Sequence, residues 1–130
     1  MTIPLWCLLA AVTMPFVWFT VAVNARKAQF GFVDNKHPRA QIAKLEGKGA
    51  RAIAAHQNAF EALAIFTPAV LVALVAHANT TYSAALAIAW VVFRVLHGFF
   101  YITDNDKARS AVFGLAMLTV LGQFVIAAIA

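Results

Sequence analysis

Five polar side chains stand where the surrounding sequence is apolar: His56, Asn58 and Glu61 in one hydrophobic stretch, Arg94 and His97 in another. A charge at mid-membrane depth costs about 2.5–3.5 kcal/mol on insertion scales, so such groups are kept where they meet a partner or line a functional cavity. On a helix, Arg51, Asn58 and Glu61 are seven and three residues apart and share a face. Arg94, His97 and Tyr101 repeat the three-and-seven pattern, with Trp90 a turn further along. If the two helices are antiparallel, Glu61 lies ~15 Å in from Arg51 and Arg94 ~13 Å in from Thr103, which makes them level. Asn58 then comes level with His97, and the two stripes form one polar seam opening to one side. Arg109 and Ser110, at the head of the last apolar stretch, lie on that same side. Packing needs only one neutralising pair, Glu61 with Arg94. Several donors around a single carboxylate suit an anionic, polar ligand whose amine or amide meets Glu61.

The elements that carry these residues are membrane spans. Of 130 residues, 63% are hydrophobic and 12% charged, against a usual charged share of roughly a quarter. A soluble domain this short has too little interior to hide that much apolar surface, so the excess faces lipid. Ile3–Val23 carries no charge over 21 residues, enough to cross the ~30 Å hydrocarbon layer. It is not a signal peptide, because no basic segment precedes it and Arg26-Lys27 follow as a stop-transfer flank. The remaining spans are expected at 51–77, 82–102 and 108–130, with a polar loop over 24–50 that holds a short amphipathic helix near Ala40–Leu45. Pro15 and Pro68 fall inside spans, where lipid-embedded helices tolerate them. The chain reads as one all-α integral membrane domain over 1–130, a four-helix up-down bundle.

The charge pattern sets topology. Nine of the ten cations fall in or beside the loops after the first and third spans, and the opposite side has none. The positive-inside rule puts both loops in the cytoplasm and both termini across the membrane. The net charge of +5 is accounted for by this placement, without nucleic acid. Cys7 is the single cysteine and no His and carboxylate group makes a metal site, so neither disulfide nor metal chemistry is expected. His37 reads as solvated and His77 as an interface residue at the end of its span. The eleven Phe and three Trp read mostly as lipid-facing bulk. With no matching polar groups expected in the far half of the membrane, a proton or ion pathway ranks low.

The stretch Arg51-x-x-x-Ala55-His56-Gln57-Asn58-x-x-Glu61, followed by Phe66 and Pro68, resembles the second-helix signature of the MAPEG family, the membrane-associated proteins of eicosanoid and glutathione metabolism. Arg94-x-x-His97-x-x-x-Tyr101 is similar to the third-helix motif of its prostaglandin E synthase branch, and Arg109-Ser110 falls where the family has an arginine and a serine. The resemblance implies a homotrimer binding glutathione between subunits near the cytoplasmic side of, by expectation, a bacterial inner membrane. Asn58 and Glu61 would hold the glutathione backbone, with His97, Tyr101, Arg51 and Ser110 adding contacts and Arg94 pairing with Glu61. Arg109 would be the catalytic residue beside the sulfur, and Arg26 would reach a neighbouring subunit's ligand. Gln57 and Phe113 depart from the pattern, standing where relatives place an arginine and a tyrosine. The implied activity is a glutathione transferase or peroxidase acting on a hydrophobic small molecule or lipid hydroperoxide from the bilayer. The family also includes a lipid-binding member, so a non-catalytic lipid-binding protein or an accessory subunit of a larger membrane complex is the alternative.

Overall fold

A computed structural model describes all 130 residues as five helices: α1 (Ile3–Phe30), α2 (Pro38–Ile42), α3 (Gly47–Val75), α4 (Thr80–Ile102) and α5 (Asp106–Ala128). The four long ones are each long and apolar enough to cross a membrane. They run up and down in sequence order as an all-α bundle. The basic loops gather at one end, called here the basic end, and both termini lie at the far end with the α3–α4 turn.

The helices are longer than the apolar runs that announce them. Hydropathy falls away at Asn24, but α1 continues to Phe30 because no residue up to there stops it. The stop is Gly31, whose φ of 79° gives the left-handed cap and whose N–H reaches the Lys27 carbonyl at 2.9 Å. At 28 residues α1 is about 42 Å long, longer than the hydrocarbon layer, so its last two turns project beyond the basic face. α3 starts four residues before Arg51, and α4 and α5 each start two residues before the expected Tyr82 and Ala108. Asn79 and Asn105 set those two starts, accepting from Thr81 and Tyr82 N–H and from Ala108 N–H respectively.

His77, expected inside the second span, lies past its end. With φ 55° it occupies the left-handed position after α3, and the next N–H, of Ala78, closes back on Ala73 at 3.0 Å. Asp104 (φ 63°) does the same after α4, with Asn105 N–H on Phe100 at 2.9 Å. Glycine is the usual residue at such positions.

Packing follows residue size. α3 lies along α1, α4 along α5, and α3 touches all three other spans. Without a hydrophobic force between helices in lipid, close van der Waals contact decides, and small residues permit it. Ala52, Ala55, Ala59, Ala69 and Ala73 are the buried stripe of α3, and Ala11 and Ala22 that of α1. Phe66 and Trp90 are exceptions to the lipid-facing aromatics. Fully buried, they stack with ring centroids 3.8 Å apart at 6° and join α3 to α4 in the bundle centre.

The loop after α1 is tied down by Arg26. Its side chain is 2% exposed; Nε donates to Gln41 Oε1 at 2.7 Å and Nη2 to the Asp34 carbonyl at 3.0 Å. Gln41 in turn accepts from Asp34 N–H and donates to the Phe32 carbonyl. The family resemblance pointed Arg26 towards a neighbouring subunit's ligand; within the single chain its guanidinium is committed inward to the loop, because a buried charge takes the nearest carbonyls. The short helix expected over Ala40–Leu45 is found at Pro38–Ile42, placed there by Pro38 in its first turn. Within the loop, the His37 N–H holds the Asp34 carboxyl below the usual carboxylate range; desolvation opposes it, and the Lys36 N–H and the charges of His37 and Arg26 add to the lowering. Its folded pKa is depressed, so its contribution is complete above the unfolded carboxylate pKa and is lost as pH falls through the folded value. Arg26→Met removes the tie while keeping the stem. It is expected to cost about 1.5–3 kcal/mol, read as a lower thermal midpoint and faster protease nicking between residues 32 and 37.

Candidate functional site

Glu61 is the middle residue of α3, fourteen positions from either end, and in the single chain it is exposed. Asn58 lies one turn towards the basic end and donates from Nδ2 to Glu61 Oε2 at 3.1 Å. Arg94 comes across from α4, 2% exposed, and its Nη2 donates to Asn58 Oδ1 at 2.7 Å and to the Asn58 carbonyl at 3.3 Å. The expected direct Glu61–Arg94 pair is thus replaced by a relay in which Asn58 stands between the charges. Its amide can accept from one and donate to the other, and it reaches both because it sits level with Arg94.

The relay is incomplete. Arg94 Nε is buried with no hydrogen-bond partner, and so is Nδ1 of His97, which is 4% exposed. Buried polar atoms are nearly always paired, and those that are not call for a ligand, a water or a functional reason. A cavity of about 140 Å³ opens beside the relay, lined by Asn58, Glu61 and Arg94 together with Trp90, Phe113 and Met117.

A second group lies nearer the basic end. His97 packs edge-on to Tyr101 (5.7 Å) and against Phe113 (6.0 Å), and the Arg109 guanidinium lies over the Tyr101 ring at 4.3 Å. That stacking holds Arg109 by a cation–π contact of about 0.5–1 kcal/mol. Ser110 is exposed on α5. Phe113 touches both groups, bordering the cavity while packing on His97. The single seam expected along the two helices is thus two clusters joined by apolar contact.

Arg51 leaves the seam. Its Nε donates to the Ile102 carbonyl at 3.3 Å and its Nη1 lies 3.5 Å from Asp104 Oδ2. It caps the last turn of α4, where unsatisfied carbonyls attract a cation. His56 also proves structural, with Nδ1 2.8 Å from the Pro15 carbonyl and its ring between Phe19 and Phe60. Gln57 faces outward.

The sequence reading missed polar groups in the far half. Gln123 is fully buried; its Nε2 donates to the Ser83 carbonyl at 2.9 Å, and its Oε1 accepts from Ser83 Oγ at 2.9 Å. Thr119 is buried nearby on α5, its hydroxyl returned to the Ala116 carbonyl. This corrects the expectation that the far half holds no such groups. The Phe66–Trp90 stack lies between this Gln123–Ser83 pair and the relay. A lone glutamine in an apolar run was the available signal. No cluster of three or more His, Cys, Asp or Glu side chains is placed to hold a metal.

Comparison with curated proteins and with solved structures finds no significant match in either. The family model described as "MAPEG family" matches residues 3–129. That span takes in all four long helices and every member of both clusters, and the chain belongs to the MAPEG family.

Proposed function

We propose that the protein is a membrane-embedded glutathione-dependent transferase or peroxidase acting on hydrophobic electrophiles or lipid hydroperoxides. The observation that carries this reading is the under-partnered Arg94 beside an exposed mid-span carboxylate at a cavity. A charge such as Glu61 is too costly to face hydrocarbon, so a second copy and a polar ligand have to cover it. The cavity of about 140 Å³ is well below the roughly 300 Å³ at which pockets begin to enclose small ligands. One protomer can hold only part of a tripeptide, which favours a site closed between copies, as in the homotrimer the family resemblance implies. The basic loops favour a cytoplasmic basic end with the termini across the membrane, and the family resemblance suggests a bacterial inner membrane.

The donor set fits glutathione. Glu61 offers its carboxylate to the amino group, Asn58 pairs amide to amide, and the free Nε of Arg94 and Nδ1 of His97 supply contacts the protein leaves unused. Glutathione supplies the thiol, whose deprotonated form is the nucleophile. Arg109, held on Tyr101, is the cation that favours the thiolate. Arg51 and Arg26 act indirectly, by fixing the end of α4 and the loop.

Calorimetric titration of detergent-purified protein with glutathione, repeated with an analogue lacking the sulfur, tests the reading. Saturable heat at millimolar concentration or below supports it; no heat and no thermal shift sinks it. Glu61→Gln is expected to weaken glutathione binding by about 10- to 100-fold, because it removes a charge-assisted contact, while the thermal midpoint stays close to wild type. The second reading, a non-catalytic lipid-binding protein or accessory subunit of a larger complex, draws on the apolar Phe113 at the cavity and the outward Gln57. Under it, Glu61→Gln changes no ligand binding.

A further inference from the structure

A second cavity, roomier than the one beside the relay, lies at the far end of the bundle. It holds about 440 Å³ between the far ends of α1, α3 and α4, inside the roughly 300–1,000 Å³ range of small-ligand pockets. Its walls are hydrocarbon: Leu5 of α1, Val70, Ala73 and Leu74 of α3, and Ala84 of α4. Its exposed polar lining is made by His77 and the hydroxyls of Thr2, Thr80 and Thr81, with Ser83 buried deeper. The Ser83 hydroxyl donates inward to the buried Gln123 Oε1 and so leaves the donor role to the other hydroxyls and His77.

Polarity, depth and charge point to one kind of occupant. The helix ends that frame the rim are where a bilayer's headgroup layer begins, and the walls run back into the hydrocarbon. All five acidic residues of the chain, Asp34, Glu46, Glu61, Asp104 and Asp106, lie elsewhere. The rim is therefore a set of hydroxyl and imidazole donors with no side-chain carboxylate to repel an anion. His77 occupies a left-handed backbone position, φ 55°, where glycine would be unstrained. Strain of this kind persists where the side chain is needed.

The geometry points to a binding site for a single-chain amphiphile with a carboxylate head, of the fatty-acid class, drawn from the leaflet opposite the basic loops. The chain lies along Leu5, Val70 and Leu74, and the head meets His77 and the threonine hydroxyls. The volume suits one acyl chain and excludes both chains of a diacyl lipid. This site does not rest on the glutathione reading and shares no lining residue with the smaller cavity.

The test uses the full chain in phosphatidylcholine nanodiscs, titrated with palmitate and labelled with a diazirine-bearing palmitate. A saturable rise in the unfolding midpoint is expected, with adducts on residues 3–5 and 70–74. His77→Gly relieves the strained backbone, so its own midpoint is expected to equal or exceed wild type while palmitate binds at least about tenfold more weakly. Ala84→Phe fills the cavity and abolishes both shift and adducts. The proposal is overturned by the absence of a saturable shift, which is also the result if a second copy covers the cavity. Adducts confined to other faces, or unchanged affinity in either variant, overturn it as well. Equal binding of a lysophosphatidylcholine of the same chain length overturns the choice of head, and an equal shift with acetate alone overturns the role of the chain.

Discussion

On the proposed glutathione-dependent activity, replacing Arg109 by alanine is expected to lower kcat by about 10²–10³, with the glutathione affinity moving by less than about threefold. The separation follows from where the side chain sits. In that proposal the Asn58–Glu61–Arg94 relay would carry the ligand-facing polar groups deep in the spans, whereas Arg109 stands one cluster nearer the basic end, its guanidinium 4.3 Å above the Tyr101 ring. A cation there stabilises sulfur only when it is deprotonated, so its loss falls on the charged state and hardly on binding. Arg109→Lys keeps the charge and is expected to recover part of the rate. The loss is incomplete because a compact ammonium stacks less well on Tyr101. Ultraviolet absorbance of bound thiolate provides an independent readout, and it should fall in Arg109→Ala in parallel with kcat. Unaltered kcat and thiolate absorbance in that variant would remove Arg109 from the chemistry.

Gly98→Ala is expected to destabilise the bundle by about 1–3 kcal/mol, the usual range for forcing extra volume into a packed contact. A β-carbon added at Gly98 lands in the Trp18 indole of α1, 2.6 Å from Nε1 and closer still to its ring carbons. The indole is rigid and the contact lies on buried backbone, so α1 and α4 have to part. Trp18→Phe removes the obstructing ring. In the Gly98→Ala background it should recover much of the loss, with a coupling of roughly 0.5–3 kcal/mol in the double-mutant cycle. Thermal unfolding in detergent measures all four proteins. Simple additivity of the two changes would mean that the close approach does not hold the helices in register. Gly98 follows the buried His97, so the same variant should also disturb the site.

Helix ends show how far hydropathy carries. An apolar run reports where lipid stops, and lipid does not end a helix. Asn24–Phe30 are polar enough to leave the membrane and still helical, until Gly31 supplies the left-handed cap. Asn79 and Asn105 start their helices for the same local reason, through side-chain oxygens that accept the first free N–H groups.

The site was legible as positions and faces, and less so as partners. Spacing placed Asn58 and Glu61 together and Arg94 level with them. Charge alone then paired Glu61 with Arg94, whereas the guanidinium found Asn58 first. Arg26, named through the family resemblance, and Arg51, named by its spacing from Asn58, are both bound to backbone carbonyls within the chain. A carbonyl at a helix end or in a loop attracts a cation as a carboxylate does, and no residue type in the sequence marks it.

By itself the sequence determined four membrane spans, their alternating direction, the clustering of cations at one end and the family resemblance that the family match bears out. These depend on composition and on spacing along one chain, which one dimension records in full. Only the tertiary structure decided which atoms stay unpaired at Arg94 and His97, that Gln123 is tied to Ser83, and that space remains beside Glu61 at mid-span and at the far end of the bundle. Unpaired atoms and cavities are properties of how several helices meet. In lipid that meeting is set by close contact between small residues such as Gly98 and the alanines of α3, whose neighbours the sequence does not name.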